Sequence, residues 1–185
     1  TEIQEKTIPV MLAGHDVIAK APTGTGKTCA FGIPVAEHID PEKKYPQAVI
    51  MAPTRELAQQ IAEELTELTY FMPEVQVACV YGGANMEKQA KRLAEGCQIV
   101  VATPGRLMDH YKHHSIDLAH VTQVVLDEAD EMLNMGFYKD VRHIIELMKA
   151  RKSLSMFSAT ISREVMDIGW LYQHNAEEIT VQPKE

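Results

Sequence analysis

Asp16-Val17-Ile18-Ala19-Lys20-Ala21-Pro22-Thr23-Gly24-Thr25-Gly26-Lys27-Thr28-Cys29-Ala30-Phe31-Gly32-Ile33-Pro34-Val35-Ala36 is the stretch whose reading decides the fold. Residues 16–20 are short and apolar enough for a buried strand, and 29–36 have the composition of a helix body. Between them, 21–28 forms a glycine-bearing loop ending in Lys-Thr, the layout of a phosphate-binding loop. The residue types suit that chemistry. Gly24 and Gly26 let the backbone turn tightly and aim its N–H groups at an anion. The N-terminus of the following helix adds the positive end of its dipole. Lys27 brings a mobile charge to the outer phosphates, and the Thr28 hydroxyl suits a magnesium ion, which binds nucleotide phosphates with few protein ligands. Ala21 stands where the general pattern has its first glycine, so a plain glycine-rich turn remains the alternative.

Working outward, strands and helices alternate. Residues 3–12 read as a short helix with Pro9 disturbing its middle. Apolar runs at 48–52, 75–81, 98–102, 121–126, 154–157 and 178–181 read as strands. Helices are expected from Arg55 through Leu57, Ile61, Leu65 and Leu68, then over 86–94, 107–113 and 137–148, and through Met166 and Ile168. The strands are near-continuous apolar runs and not alternating ones, so both their faces are covered. That pattern predicts a parallel, doubly wound α/β domain.

The 185 residues suffice for one domain with a sizeable core. With 45% apolar and 24% charged residues the chain reads as globular. No apolar run is long enough to cross a bilayer. Thr1-Glu2-Ile3-Gln4 is no signal peptide, and a start without Met reads as a cut into a longer chain. Cys29, Cys79 and Cys97 form no C-x-x-C pair, which favours reduced thiols in a cytoplasmic protein. A net charge of −8 argues against a broadly basic nucleic-acid surface, so any nucleic acid must be held by a few local contacts.

Polar segments sit where the expected strands end: 21–28, 53–55, Gly82-Gly83, 103–106, 127–130 and 158–160. In an open parallel sheet that edge is where ligands bind. Asp127 directly follows Val124-Val125-Leu126, the place for a magnesium-holding aspartate in a chain with a phosphate loop. Glu128, one residue on, suits orienting and deprotonating a water for in-line attack. The alternative is that these acids cap the next helix. His110, His113 and His114 have helical spacing but read as a solvated helix face. Met132, Met135 and Met148 read as core or near-core filler.

Taken together these motifs resemble the first of the two RecA-like domains of the DEAD-box RNA helicases. Asp127-Glu128-Ala129-Asp130 is the box itself, accompanied in the family's order by APTGTGKT at 21–28, PTRELA at 53–58, GG at 82–83, TPGR at 103–106 and SAT at 158–160. Ala21 also matches, since the family commonly carries alanine there. The resemblance implies an α/β RecA-like P-loop NTPase domain, a mostly parallel sheet with helices on both faces, filling 1–185 as a single domain. It implies an ATP-dependent RNA helicase that couples ATP binding and hydrolysis to RNA binding and local unwinding.

The roles it implies follow position by position. Ala21, Pro22, Thr23, Gly24, Thr25, Gly26, Lys27 and Thr28 hold ATP, with Gln4 reading the adenine edge. Thr28 and Asp127 hold Mg²⁺, the aspartate mostly through water, and Glu128 activates the attacking water. Asp130, Ser158 and Thr160 couple the ATP site to closure against a second RecA-like domain of the same chain. Thr54, Arg55, Gly83, Thr103 and Arg106 hold the RNA backbone without reading sequence, and the helix after Arg106 bends one strand. For Arg55 and Arg106 the alternative is a solvated or ion-paired arginine. Nothing after Thr160 resembles the transition-state arginines of the family's second domain. The 185-residue chain is therefore expected to be a monomeric, membrane-free nucleotide-binding module with little or no activity of its own. An ATPase acting on DNA or protein is the remaining alternative, against which PTRELA and TPGR argue.

Overall fold

The computed structural model describes residues 1–24 and 26–183. In chain order it runs α1 (Glu2–Leu12), β1 (Val17–Lys20), α2 (Lys27–Glu37), β2 (Ala48–Met51), α3 (Arg55–Leu68), β3 (Val77–Val80), α4 (Met86–Ala94), β4 (Ile99–Ala102), α5 (Pro104–Lys112), β5 (Gln123–Leu126), α6 (Ala129–Asn134), α7 (Tyr138–Leu147), β6 (Ser153–Ser158), α8 (Arg163–Tyr172) and β7 (Glu177–Thr180). The strands form one seven-stranded sheet in the order β3-β4-β2-β5-β6-β1-β7, and every pairing is parallel. Among the described residues no helix is long and apolar enough to cross a membrane.

Alternate side chains along a strand point to opposite faces, and here both faces are covered. Ala48 and Ile50 of β2, Ile99 and Val101 of β4 and Val125 of β5 pack with Phe31 and Val35 of α2 and Ile61 and Leu65 of α3. Val49, Met51, Val100, Ala102, Val124 and Leu126 pack instead with Leu107 of α5, Met132 of α6, Ile144 of α7 and Val165 of α8. This is why the central strands read as unbroken apolar runs. At the sheet edges burial thins: β3 buries Ala78 and Val80, and β7 only Ile179. The α1–α3 layer is tight. A methyl group on Gly32 of α2 would lie 2.8 Å from Leu68 Cδ1 and 2.9 Å from Leu65 Cδ2.

The two ends of the strands carry polar residues for different reasons. At the amino ends, buried side chains pin the backbone. Asp16 accepts from Leu154 N–H at 3.0 Å and His174 N–H at 2.9 Å, joining the start of β1 to β6 and to the loop after α8. Gln47 and Gln98 do the same ahead of β2 and β4, bonding Asp40, Lys43, Gln76, Pro41 and Glu74 backbone groups. Buried polar groups must find such partners.

The structure corrects three expectations. Helix α6 lies where no helix was expected, because six residues are too few to show a period. Met135 is 51% exposed and not core, since it caps α6 where the chain turns at Gly136 (φ +90°). Helix α1 runs unbroken through Pro9, its N-terminus fixed by a reciprocal Thr1–Gln4 capping box.

Candidate functional site

Parallel pairing sends the carboxyl ends of β1 to β6 to one edge, so the six polar segments share it. The strand order then sorts them. Candidates for nucleotide contact follow β5, β6 and β1, which are neighbours. Candidates for RNA contact follow β3, β4 and β2, the neighbouring strands on the other half of the sheet.

On the nucleotide side, Ala21 is buried and donates its N–H to Ser158 O at 3.0 Å. Pro22 is half-buried and Thr23 and Gly24 are exposed, while Thr25 lies outside the described residues. Gly26 is the N-cap of α2 in the left-handed region (φ +80°) and brings no capping side chain, so among the described residues no side chain caps the first-turn N–H groups of α2, which suit an anion. Gln4 donates to Gly26 O at 3.3 Å, and a Cβ on Gly26 would lie 2.8 Å from Gln4 Nε2. Both the backbone angle and this contact call for glycine.

Lys27 and Asp127 form a buried ion pair, Nζ to Oδ1 3.0 Å, with side chains 6% and 2% exposed. The ammonium has three protons, and Asp127 is its one partner among the described residues. Asp127 Oδ1 also accepts Glu128 N–H at 2.9 Å, and no bond engages Oδ2 among the described residues. Burial pushes the Asp127 carboxyl up, and Lys27 only partly offsets this. Thr28 is buried beside Lys27 in the first turn of α2. Glu128 is the N-cap of α6 in the left-handed conformation (φ 47°, ψ 53°), yet its side chain makes no capping hydrogen bond. The capping alternative therefore fails for Glu128. Burial, with Asp127, Glu131 and Asp130 nearby, raises its carboxyl above the ordinary range against the pull of Lys27.

Asp130 takes a different part. Its Oδ2 accepts from Thr160 Oγ1 at 2.8 Å and Thr160 N–H at 3.1 Å, and its own N–H donates to Ser158 Oγ at 3.1 Å. Ser158 Oγ in turn donates to Thr160 O at 2.6 Å. Burial raises this carboxyl, but the hydrogen bonds outweigh it and hold it below its ordinary value. A depressed carboxylate adds stability that is present above its unfolded pKa of about 3.9 and is lost as pH falls through the folded one. Thermal midpoints measured against pH should thus show an acid loss below about pH 4 that is smaller in Asp130→Asn. Identical acid limbs would show that the tie carries no stability.

On the other half, the Thr54 hydroxyl caps α3 by accepting Leu57 N–H at 3.2 Å. Arg55 is exposed and stacks over Tyr81, 4.7 Å to the ring centroid. Gly83 (φ +82°) faces it closely, a Cβ there lying 3.8 Å from Arg55 Nη1. Thr103 is buried at the N-cap of α5 and uses no side-chain capping bond. Arg106 is 13% exposed; its Nη1 donates to Ala84 O at 3.0 Å and to Gln89 Oε1 at 3.2 Å, with Asp109 Oδ2 3.7 Å from Nε. Neither arginine is simply solvated.

His110 is a correction. It was expected on a solvated face and is instead fully buried, its Nε2 3.0 Å from Gln89 Oε1, because α5 packs against α7 and turns this residue towards α4. His113 and His114 are exposed. Sequence reading also missed Gln89 and Tyr81. Tyr81 carried a signal, an aromatic just before Gly82-Gly83 in a chain with an arginine to stack on it; Gln89 carried none.

Comparison with known proteins agrees with this geometry. The sequence profile described as DEAD/DEAH box helicase matches residues 1–168. The ATP-dependent RNA helicase CshA of Listeria monocytogenes is 48% identical over 185 residues, covering 100% of this chain and 35% of that protein. The ATP-dependent RNA helicase DeaD of Escherichia coli is 44% identical over 180 residues, 97% of this chain and 29% of that one. The chain thus spans about a third of the length of these relatives, at 35% and 29%. The crystal structure of a hypothetical ATP-dependent RNA helicase from Sulfolobus tokodaii superposes with a TM-score of 0.90 at 41% identity, over 98% of this chain and 52% of that one. A DEAD box protein from Methanococcus jannaschii gives 0.90 at 39% identity, over 98% and 50%. With a RecA-like sheet, the motif segments gathered on one edge and a family profile that covers most of its length, the chain belongs to the DEAD/DEAH box helicase family.

Proposed function

We propose that this chain is the ATP-binding domain of an RNA helicase, which couples ATP binding and hydrolysis to a grip on the RNA backbone. The observation that carries the nucleotide half is the buried Lys27–Asp127 pair at 3.0 Å beneath an uncapped helix N-terminus. Donors and acceptors there fit a magnesium–nucleotide complex: an ammonium with unused protons, free first-turn N–H groups, the Thr28 hydroxyl and the unengaged Asp127 Oδ2. Thr28 and Asp127 would hold Mg²⁺, which polarises phosphoryl oxygens when bound. Lys27 and the α2 N–H groups take the phosphates, and Gln4, whose amide is held by Thr1 and Gly26, keeps one amide proton and one lone pair for the base. Glu128, with a carboxyl raised towards the working pH, holds and deprotonates the attacking water. Asp130, Ser158 and Thr160 tie that acidic loop to the end of β6, so a movement at one is felt at the other.

Thr54, Arg55, Gly83, Thr103 and Arg106 take RNA phosphates and sugars. They lie along neighbouring strand ends and need no broad positive field, in keeping with a net charge of −8. The names of the relatives, each an ATP-dependent RNA helicase, support RNA as the partner. Their greater length leaves room for a further domain, which we place over this edge. A cytoplasmic setting suits the three free cysteines; burial pushes Cys79 up to about 12 and Cys97 up to about 11, which leaves both thiols unreactive.

Titration calorimetry of the 185-residue chain with MgADP tests the nucleotide reading. Weak binding is expected, reduced about tenfold or more in Lys27→Ala, since a charge-assisted hydrogen bond is worth about 1.5–3 kcal/mol. No binding at high protein concentration, or equal binding by both, would overturn it.

A further inference from the structure

We propose that Gln89 and His110 are positioning residues that fix the Arg106 guanidinium so that its free Nη2 group faces an RNA phosphate. This rests on the reading of Arg106 as an RNA-backbone contact. Gln89, buried in α4, donates from Nε2 to Tyr81 O at 3.0 Å, which sets the direction of its amide. Its Oε1 then receives two donors, Arg106 Nη1 at 3.2 Å and His110 Nε2 at 3.0 Å. A guanidinium cannot accept, so Oε1 must be the shared acceptor and His110 must carry its proton on Nε2.

Several observations agree on that tautomer. His110 is fully buried and its Nδ1 has no hydrogen-bond partner among the described residues. A second proton would place an unpaired N–H and a second positive charge against Arg106. Burial and then the Arg106 charge depress the His110 pKa, with His113 adding to this and Asp109 opposing it. A neutral imidazole with one fixed donor results.

The consequence falls on Arg106. Both protons of Nη1 are committed, to Ala84 O at 3.0 Å and to Gln89 Oε1 at 3.2 Å. Nε lies 3.7 Å from Asp109 Oδ2. Nη2 has no partner among the described residues, which leaves two donors of a planar fork suited to phosphate oxygens. Nε makes no hydrogen bond among the described residues, so it is the two acceptors on Nη1 that restrain the planar group and with it Nη2. Without Gln89 the guanidinium keeps a single carbonyl and a long ionic contact, and it swings. Without the His110 N–H the Gln89 oxygen loses one of its two donors, and the amide is held less firmly.

The test is binding of a fluorescent single-stranded oligouridine to the 185-residue chain by anisotropy at low salt, with MgADP affinity measured in parallel as the check that each variant is folded. Arg106→Ala is expected to weaken RNA binding about tenfold, the worth of one charge-assisted contact. Gln89→Leu and His110→Leu should each weaken it about three- to tenfold, and should add nothing in the Arg106→Ala background, as coupled residues do. His110→Gln, whose amide can replace the Nε2 donor, should bind within about twofold of wild type, whereas the shorter His110→Asn should not. Wild-type RNA binding by both leucine variants, or losses that persist in the Arg106→Ala background, would overturn the positioning role while leaving Arg106 as a contact. Should the leucine variants lose MgADP binding through misfolding, the Gln and Asn variants decide, equal RNA affinity of the two overturning the proposal. An Arg106→Ala variant that binds RNA like wild type would instead sink the RNA reading of Arg106, and the positioning role with it.

Discussion

Glu128→Gln in the full-length protein is expected to keep ATP affinity and lose turnover by about 10²–10⁴-fold, the usual worth of a positioned general base. The amide keeps the size and much of the hydrogen bonding of the carboxylate but cannot take a proton. Three features single Glu128 out from its acidic neighbours. Asp127 is paired with Lys27 through Oδ1 and assigned to the metal, and Asp130 is tied to Thr160, whereas the Glu128 side chain makes no capping bond. Its carboxyl, unlike that of Asp130, is raised by burial and by nearby carboxylates, which makes it the stronger base of the two. Its backbone sits at φ 47°, a conformation that costs a non-glycine residue about 1–3 kcal/mol and that persists where the surroundings impose it.

That strain separates chemistry from folding within the same prediction. Glu128→Gly removes the strain, offset by about 0.4–1 kcal/mol of extra unfolded-chain freedom. The glycine variant should therefore unfold at equal or higher denaturant while being as inactive as Glu128→Gln. Turnover near wild type in Glu128→Gln would show that another group is the base. A clear loss of stability in Glu128→Gly would show that the side chain serves the fold.

The parallel sheet was legible because its central strands are buried on both faces. Val49-Ile50-Met51 and Val124-Val125-Leu126 feed alternate residues to two helix layers, so no polar residue interrupts them. The gathering of the candidate site was legible for a related reason: a glycine-bearing loop, an acidic strand end and Gly- or Pro-marked turns all end parallel strands, and so must meet at one edge. What stayed hidden depended on which way a helix faces. Asp109, Lys112 and His113 around His110 are the neighbours of a solvated position, and only the packing of α5 reveals that His110, unlike these three, turns inward. Gln89 lies in a charged helix and gave no sign that its amide joins three partners. Asp16, Gln47 and Gln98 are polar at the amino ends of buried strands, where sequence shows only loop-like composition and structure shows backbone pins. Helix α6 was too short to have a period at all.

The 185-residue chain alone is expected to show little or no RNA-stimulated ATP hydrolysis, at about 10³–10⁵-fold below a complete helicase core. Lys27, Thr28, Asp127 and Glu128 all come from one edge of one sheet, and on the proposed reading they would face the phosphates from one side. Charge developing on the transferred phosphoryl group is stabilised by donors already in place around it, and the opposite side needs cations from another surface. On the proposed reading RNA meets the same limit, since Arg55, Thr103 and Arg106 would grip one stretch of backbone only. The sheet order adds a further reason. The proposed nucleotide half (β5, β6, β1) and the proposed RNA half (β3, β4, β2) lie side by side on one parallel sheet, so the two ligands would sit at separate strand ends. Coupling requires a state that both ligands prefer, and a second domain closing over this edge would provide it. Adding that domain should restore stimulation, more strongly when tethered, because a linker raises effective concentration into the millimolar range or about that order. The assay is phosphate release with and without single-stranded RNA. A several-fold RNA-dependent rise in the wild-type chain that disappears in Lys27→Ala would show instead that this one edge holds every group the reaction needs.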